Sequence, residues 1–316
     1  MMGQAQGGRN IMVDVSIIVV NWNGRDLLKK CLDCVQATVK QVSYEVVVVD
    51  NASTDGSQDM VRAEFPNVRL IANSDNVGFA RANNQAMQGN AARYLLLLNS
   101  DAFVKADTID TMVRFMDEHP DAGMAGCKLL YEDGRLQPSC YTFPTLFSEV
   151  SIALGLNKLF ARTKLFGSYM MTNWDYSDTR PVDVIMGAFM LARREAVERV
   201  GLMDEGFFMY SEEVDWCYRF KQADWKIYFT PEVEAVHLWG GSSNQVKVET
   251  LIRLYRSRVL FFRKHYGAFT AGVYKLVLYL NALLRVGPGA VYYYRKPQTR
   301  EKHYAFRQLL RALPGF

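Results

Sequence analysis

The chain has 316 residues, 49% of them hydrophobic, enough to bury a full core as one large domain or as one domain with an appendage. Its formal net charge of +4 is mild, and the excess falls late, between Arg253 and Arg311. Aliphatic and aromatic residues are interleaved with those cations, which suits an anionic membrane surface and argues against a nucleic-acid partner. Five cysteines, an odd number, and no secretory leader before Val15 predict reduced thiols and a cytoplasmic setting. Cys31-Leu-Asp-Cys34 has redox or zinc spacing, but no second pair accompanies it, and it reads as an inert helix pair.

After a flexible tail over residues 1–13, Val15 to Val20 is a continuous apolar run of strand length, closed by a turn at Asn21-Trp22-Asn23-Gly24. Arg25 to Val39 has helical spacing, with Leu27, Leu28, Cys31 and Val35 on one stripe. Val46 to Val49 is a second buried strand that ends at Asp50-Asn51, and Asp55-Gly56-Ser57 opens another helix. Val68 to Ile71, Gly78 to Gln88 and Tyr94 to Leu98 follow as strand, helix and strand, the last ending at Asn99-Ser100-Asp101. Apolar strands alternating with helices predict an α/β fold with a mostly parallel sheet covered on both faces. Ligands of such sheets gather beyond the carboxyl ends of the strands, where the polar clusters at Asn21, Asp50 and Asn99 fall.

No G-x-G-x-x-G follows the first strand, and no P-loop occurs, so dinucleotide and P-loop readings lose their main support. Asp50, Asn51, Asp55, Asn76 and Asn83 offer acceptors for a pyrimidine N–H or ribose hydroxyls, and amide donors for a base carbonyl. Each alone is an ordinary turn former; polar clusters at three strand ends favour binding. Asn99 and Asp101, spaced i and i+2, share one side of an extended segment and suit a hard divalent cation held against a diphosphate.

Pro144 to Tyr169 is apolar and basic, without acids after Glu149, and reads as an amphipathic insert over the cleft. Met186-Gly187-Ala188 reads as part of a strand on an acceptor side, where Gly187 and Ala188 leave room for a sugar ring or for close backbone packing. A helix starting after Ser211 has that residue as N-cap, with Glu212 and Glu213 in its first turn. Helical spacing puts Glu212, Asp215, Arg219 and Gln222 on a solvated stripe, and Glu213, Trp216, Cys217 and Phe220 on a packed one. A carboxylate on the packed side at a helix mouth needs a purpose or a partner. Glu213 is therefore the candidate general base and Asp215 the next choice, with Glu212 and Trp216 beside them on the acceptor side. His237 ends a strand-like run before Trp239-Gly240-Gly241-Ser242-Ser243, as a satisfied histidine or as a metal ligand next to a glycine-rich lid. His119, His265 and His303 show no plausible partner. Ala268 to Tyr294 is largely apolar but broken by Lys275, Asn281, Arg285 and Gly287-Pro288-Gly289, too short for a spanning helix. It reads as an interfacial helix, or as a helical pair packed on the domain or on a second subunit of a homo-oligomer.

The runs Ser16-Ile-Ile-Val-Val-Asn21-Trp-Asn, Asp50-Asn51-Ala-Ser53-Thr54-Asp55-Gly56, Asn76-Val-Gly78-Phe79-Ala80-Arg81-Ala-Asn83 and Leu98-Asn99-Ser100-Asp101 resemble family 2 glycosyltransferases of the GT-A fold. The resemblance covers about Val15 to Ser243 and is closest to the bacterial rhamnosyltransferase-like branch that acts on lipid-linked polysaccharide precursors. It implies a catalytic domain over 14–243, with a nucleotide-binding half (14–130) and an acceptor-binding half (131–243), followed by an amphipathic helical region (244–316). It implies that Asn21, Asp50, Asn51, Asp55, Asn76, Gly78, Asn83, Asn99 and Ser100 bind a dTDP- or UDP-sugar, with Asp50 at the base. Asp101 and His237 would hold Mg²⁺ or Mn²⁺, Asn99 standing where many members carry the first Asp of D-x-D. Glu213 stands where the family usually has an Asp. Gly187, Ala188, Glu212, Asp215 and Trp216 would border the acceptor, a lipid-linked saccharide, at the inner face of the cell membrane. One base and no positioned nucleophile imply a single inverting displacement. The alternatives are a nucleotidyltransferase, disfavoured by the neutral Asn21-Trp22-Asn23-Gly24 turn, and a decayed sugar-nucleotide-binding protein, for which Asn99 and Glu213 speak.

Overall fold

A computed structural model of the chain describes residues 13–238, 247–288 and 300–316. Its first part alternates as expected: β1 (Val15–Asn21), α1 (Arg25–Thr38), β2 (Tyr44–Asp50), α2 (Ser57–Glu64), β3 (Arg69–Ala72), α3 (Phe79–Met87) and β4 (Tyr94–Leu98). Next come β5 (Ala102–Val104), α4 (Thr108–Glu118), β6 (Ala122–Leu130), β7 (Leu136–Gln137) and β8 (Cys140–Tyr141). An insert carrying α5 (Leu146–Ala153) and α6 (Leu156–Leu159) leads into β9 (Arg180–Val182), β10 (Val184–Ile185) and β11 (Phe189–Arg193). Then follow α7 (Arg194–Val200), α8 (Glu212–Gln222), β12 (Lys226–His237), α9 (Lys247–Val286) and α10 (Arg300–Ala312). Strands β1 and β2 run past their apolar residues because the ladder continues through polar ones, pairing Asn21 with Asp50.

One sheet has the strand order β3-β2-β1-β4-β11-β6-β12-β5. The run β3-β2-β1-β4 is parallel, so its carboxyl ends share one edge. Strand β11 is antiparallel to β4, with Phe189 opposite Leu98, so the start of β11 meets the tip of β4. Strand β12 is antiparallel to β5 and sets His237 opposite Ala102, next to Asp101. Residues at the tip of β4, the start of β11 and the end of β12 thus converge on the cleft edge. The core lies on both faces of the sheet, as near-continuous apolar strands require. One face packs Leu28, Cys31, Met112 and Phe115; the other packs Ala82, Trp216, Phe220 and Phe261. Met186-Gly187-Ala188 is not part of a strand: Gly187 and Ala188 form the turn into β11, and the Met186 N–H donates to Ser139 O at 2.8 Å.

Helix α9 breaks at Gly267, whose φ of 86° and ψ of 166° lie outside helical space. Before the break it buries Val259, Phe261 and Phe262; after it, Phe269, Leu276, Leu280 and Leu284 stand exposed. The two segments fold back on each other, with the Phe262 and Tyr274 rings stacked at 4.7 Å, so the expected helical pair is present. By length and composition alone α9 is also apolar enough to cross a membrane. Helix α10 packs against α9 through Phe306 and Leu309. The Trp239–Ser243 loop and the tail over 1–12 lie outside the described residues.

Candidate active site

The parallel strand tips build the first wall. Asn21 donates from Nδ2 to Asp50 Oδ2 at 3.0 Å and to Ser53 Oγ at 3.2 Å, and Gln58 Nε2 and Ser53 N donate to Asp50 Oδ1 at 2.8 and 2.9 Å. Asp50 is fully buried, and both its oxygens accept from protein donors, so it organises the loops after β1 and β2. Asn51 donates to Gly78 O at 3.3 Å and accepts from Asn73 at 3.0 Å, which ties the loop after β2 to both ends of the loop after β3. Asp55 accepts from the N–H groups of Arg25 and Ser57 at 2.8 and 3.1 Å. Burial pushes the Asp55 carboxyl up, but the bonds from Ser57 and Arg25 outweigh it and the net shift is downward. Asn76 Oδ1 accepts from Gly78 N at 3.0 Å, and Asn83 donates to Phe79 O at 2.9 Å within its own helix. Amid these satisfied groups, Asn21 Oδ1 is buried without a hydrogen-bond partner, and it faces Gly24, with Ser100 Oγ close by. A buried acceptor without a donor is costly, which makes it the natural seat for a ligand N–H or O–H.

Gly78 shows why glycine is needed where this wall meets the next. Its φ is 87° with ψ 175°, and a Cβ there would run into the Phe208 carbonyl oxygen, which accepts from Phe79 N at 2.8 Å. The loop before α8 is thereby pinned to the start of α3.

Asp101 and His237 meet as expected, with Oδ1 and Nε2 3.3 Å apart and both side chains buried. His237 Nδ1 is 2.7 Å from Gln137 Oε1, and Gln137 Nε2 donates to His237 O at 3.2 Å. The Gln137 contacts fix the ring's orientation and turn Nε2 toward the Asp101 carboxylate, with the Asn99 amide nitrogen 3.5 Å from Nε2. An imidazole nitrogen and a carboxylate oxygen that converge in this way are both ligand types for a divalent cation. Among the described residues no three His, Cys, Asp or Glu side chains are placed to hold a metal ion together. This donor set fits an ion such as Mg²⁺ or Mn²⁺ that takes one or two protein ligands and completes its shell with phosphate oxygens and water.

The second wall is the mouth of α8. Tyr210 and Ser211 both take positive φ, 70° and 65°, a strain that clusters at functional sites. Ser211 is the N-cap residue of α8, as expected, but in this left-handed conformation its hydroxyl makes no capping bond. The Asn99 N–H donates to Ala188 O at 3.1 Å, and Glu213 Cβ lies 4.0 Å from the space a side chain at Gly187 would fill. Glu213 and the Asp101–His237 pair thus flank the same junction of β4 and β11. Glu213 is half-buried, with Oε2 sealed and without a hydrogen-bond partner. Burial raises its carboxyl, while the helix-mouth N–H and Arg258 pull it back. Glu212 is raised well above the usual range by burial and by the Glu213 charge, so within this pair Glu212 holds the proton and Glu213 is the carboxylate.

The family 2 glycosyl transferase model matches residues 16–201, well over half of the chain. The chain belongs to glycosyl transferase family 2. This family 2 transferase is 29% identical over 274 residues to N-acetylglucosaminyl-diphospho-decaprenol L-rhamnosyltransferase of Mycobacterium tuberculosis, covering 82% of this chain and 88% of that one. It is 30% identical over 232 residues to rhamnosyltransferase WbbL of Escherichia coli, covering 71% and 83%. Among solved structures, the mannosyltransferase PcManGT of Pyrobaculum calidifontis, in complex with GDP-Man and Mn²⁺, aligns with a TM-score of 0.53 at 18% identity. That alignment covers 96% of this chain and 87% of PcManGT, and the shared fold is GT-A.

Helical spacing misplaced two residues of this glycosyltransferase and placed Trp216 correctly on the packed face of α8. Glu212 and Asp215 are buried, not solvated, at 5% and 0% exposure, and α9 covers Asp215. Asp215 is bound there by Lys264 Nζ and His265 Nε2, both at 2.7 Å, and by Arg219 Nε at 2.9 Å, so it is not on the acceptor side. Trp216 is a core residue that donates to Gly201 O at 2.9 Å. His265 and His303 do have partners, Asp215 and Val286 O, and His119 has Phe115 O. Gln137, Arg258 and Tyr169 escaped sequence reading. Only Arg258 left a signal, since it shares a helical face with Phe261, Phe262 and His265, a lone guanidinium on an otherwise packed stripe.

Proposed function

We propose that this family 2 transferase is an inverting enzyme that moves rhamnose or a related hexose from a dTDP- or UDP-sugar to a hydroxyl of a lipid-linked saccharide. The observation that carries this reading is the shared junction of β4 and β11, flanked by Glu213 on one side and by Asp101 with His237 on the other. The two rhamnosyltransferase relatives support the sugar, and the name of the mycobacterial one supports a diphospho-lipid acceptor.

The nucleotide lies along Asn21, Asn51, Gly78 and Ser100, with the loops held in place by Asp50. Asp101 and His237 hold Mg²⁺ or Mn²⁺, which when bound offsets charge on the leaving diphosphate. Glu213 takes the proton of the acceptor hydroxyl; that oxygen attacks the anomeric carbon, and the C–O bond to the diphosphate breaks with its electron pair leaving on the diphosphate. Desolvation raises Glu213 toward the basicity such a step needs. Among the described residues no second carboxylate is placed as a nucleophile, which favours inversion. The exposed apolar residues of α9 and of the insert, with the cations around them, support contact with an anionic membrane at its cytoplasmic face.

The test mixes nucleotide sugar, prenyl-diphosphate saccharide and Mn²⁺. Release of nucleoside diphosphate with an inverted product supports the proposal, whereas pyrophosphate marks a nucleotidyltransferase and no turnover a decayed site. Glu213→Gln is expected to stop turnover and spare donor binding; unchanged activity refutes the assigned base.

A further inference from the structure

The insert between β8 and β9 holds a cavity of about 130 Å³ outside the cleft described above. Phe143, Phe147, Ile152, Leu165, Phe166 and Tyr169 form its apolar wall. Hydroxyls that share the wall are spent: Thr145 and Ser148 close the capping box of α5, and Ser151 Oγ donates to Phe147 O at 2.8 Å. Asn157 donates from Nδ2 to Met170 Sδ at 3.7 Å, and its Oδ1, though without a partner, is sealed from solvent. A sugar ring would find few free partners here, whereas a hydrocarbon loses none. An apolar cavity of about 150 Å³ admits a benzene ring, so this one has room for a single isoprene unit.

The two ends of the cavity differ. Outward, Phe147, Phe160 and Leu165 are exposed among the exposed cations Lys158, Arg162 and Lys164. Both phenylalanines pack on Phe166, with ring centres 5.8 and 5.4 Å away. Inward, Phe143 packs edge-on against Tyr218 of α8 at 4.8 Å, and Glu213 lies roughly 7.5 Å before Tyr218 along that helix. The Arg258 guanidinium stands 5.8 Å from the centre of the Tyr169 ring. Arg258 pairs with Glu149 Oε1 at 3.6 Å, and its Nη1 has no hydrogen-bond partner.

We propose that this cavity seats the first isoprene unit of a prenyl-diphosphate-linked acceptor. The diphosphate lies on the Tyr169 and Arg258 side, and the rest of the tail leaves past Phe147, Phe160 and Leu165 into the membrane. The inference rests on the reading of the acceptor as a lipid-linked saccharide. The charges match such an amphiphile: a cation at the inner end for phosphate, an apolar rim for the tail, and rim cations for the anionic lipids around it. A tail gripped between α8 and the bilayer holds the acceptor hydroxyl within reach of Glu213, an advantage that a free saccharide lacks.

Farnesyl diphosphate, titrated calorimetrically into the full-length protein without divalent ions, probes the site, with inorganic diphosphate and dodecyl diphosphate as references. Each buried CH₂ is worth roughly fourfold, so farnesyl diphosphate should bind about tenfold or more tighter than inorganic diphosphate. It should also bind several-fold tighter than the unbranched dodecyl chain. Ile152→Trp fills the cavity and should weaken farnesyl diphosphate by about tenfold while leaving inorganic diphosphate unchanged. Ser151→Leu fills it from the neighbouring position at the loss of one hydroxyl bond, so it reports even if the Trp variant fails to fold. Either variant should raise KM for the lipid-linked acceptor by a similar factor without moving KM for the donor. Unchanged farnesyl diphosphate binding in the folded variants, with turnover of the lipid-linked acceptor intact, overturns the cavity assignment alone. Equal binding of dodecyl diphosphate marks a groove for bulk membrane lipid and also overturns it. Failure of the unaltered protein to turn over any lipid-linked acceptor overturns the reading of the acceptor instead.

Discussion

Replacing Asp215 with Asn tests how the C-terminal helix is fastened to the catalytic domain. The Asp215 carboxylate is wholly buried between Arg219 of its own helix and Lys264 and His265 of α9. Burial pushes its carboxyl up, but the bonds from His265 and Lys264, and then Arg219, prevail and bring it down to about 2 from 3.8. A carboxyl depressed in the folded state stabilises fully above its unfolded value and loses that contribution as pH falls through its folded one. Here the ionisation is worth roughly 2 kcal/mol, present above about pH 4 and lost toward pH 2. Asn also leaves the Lys264 and Arg219 cations, with the His265 ring, around a neutral amide, and breaking a buried pair in this way costs about 3–5 kcal/mol. Urea unfolding of both proteins, followed by the fluorescence of Trp216 and its fellows, should give that difference at pH 7. The gap should narrow by roughly 2 kcal/mol as pH drops from 5 to 2, since other acids titrate alike in both proteins. A difference below about 1 kcal/mol at pH 7, or one that ignores pH, refutes the reasoning.

Three further outcomes are expected. Gln137→Leu frees the ring that Gln137 orients and should weaken Mn²⁺ binding, measured with the nucleotide present, about tenfold, as lost outer partners of a metal-ligating histidine do. Gly78→Ala should cost about 1–3 kcal/mol in thermal or chemical unfolding and weaken donor binding, because φ 87° and the Phe208 carbonyl leave no room for a methyl group. Leu276→Ser, Leu280→Ser and Leu284→Ser together remove one exposed stripe of α9 and should cut flotation with anionic liposomes while leaving the melting temperature within a few degrees.

The parallel half of the sheet was legible because each strand is an apolar run bounded by turn residues, so β1, β2, β3 and β4 fall within two residues of expectation. The Asp101–His237 pair was legible too, although their contact depends on β12 pairing with β5, which no local pattern announces. Spacing on α8 failed for a different reason. Periodicity separates two faces of a helix, but it does not tell which face a distant element will cover, and α9 covers the one that carries Asp215. The same long-range packing hid the partner of His265. At Met186 the apolar run read as strand because the turn at Gly187 and Ala188 has few polar residues to mark it.

The joint at Gly267 sets how far apart the two jobs of α9 can drift. Residues 268–286 form a rod about 28 Å long at 1.5 Å per residue, folded back so that Tyr274 stacks on Phe262 and bonds Glu149 of the insert. The segment before it is clamped by Asp215 and bears Arg258, so the catalytic body is held at a set tilt to whatever the far end of the rod holds.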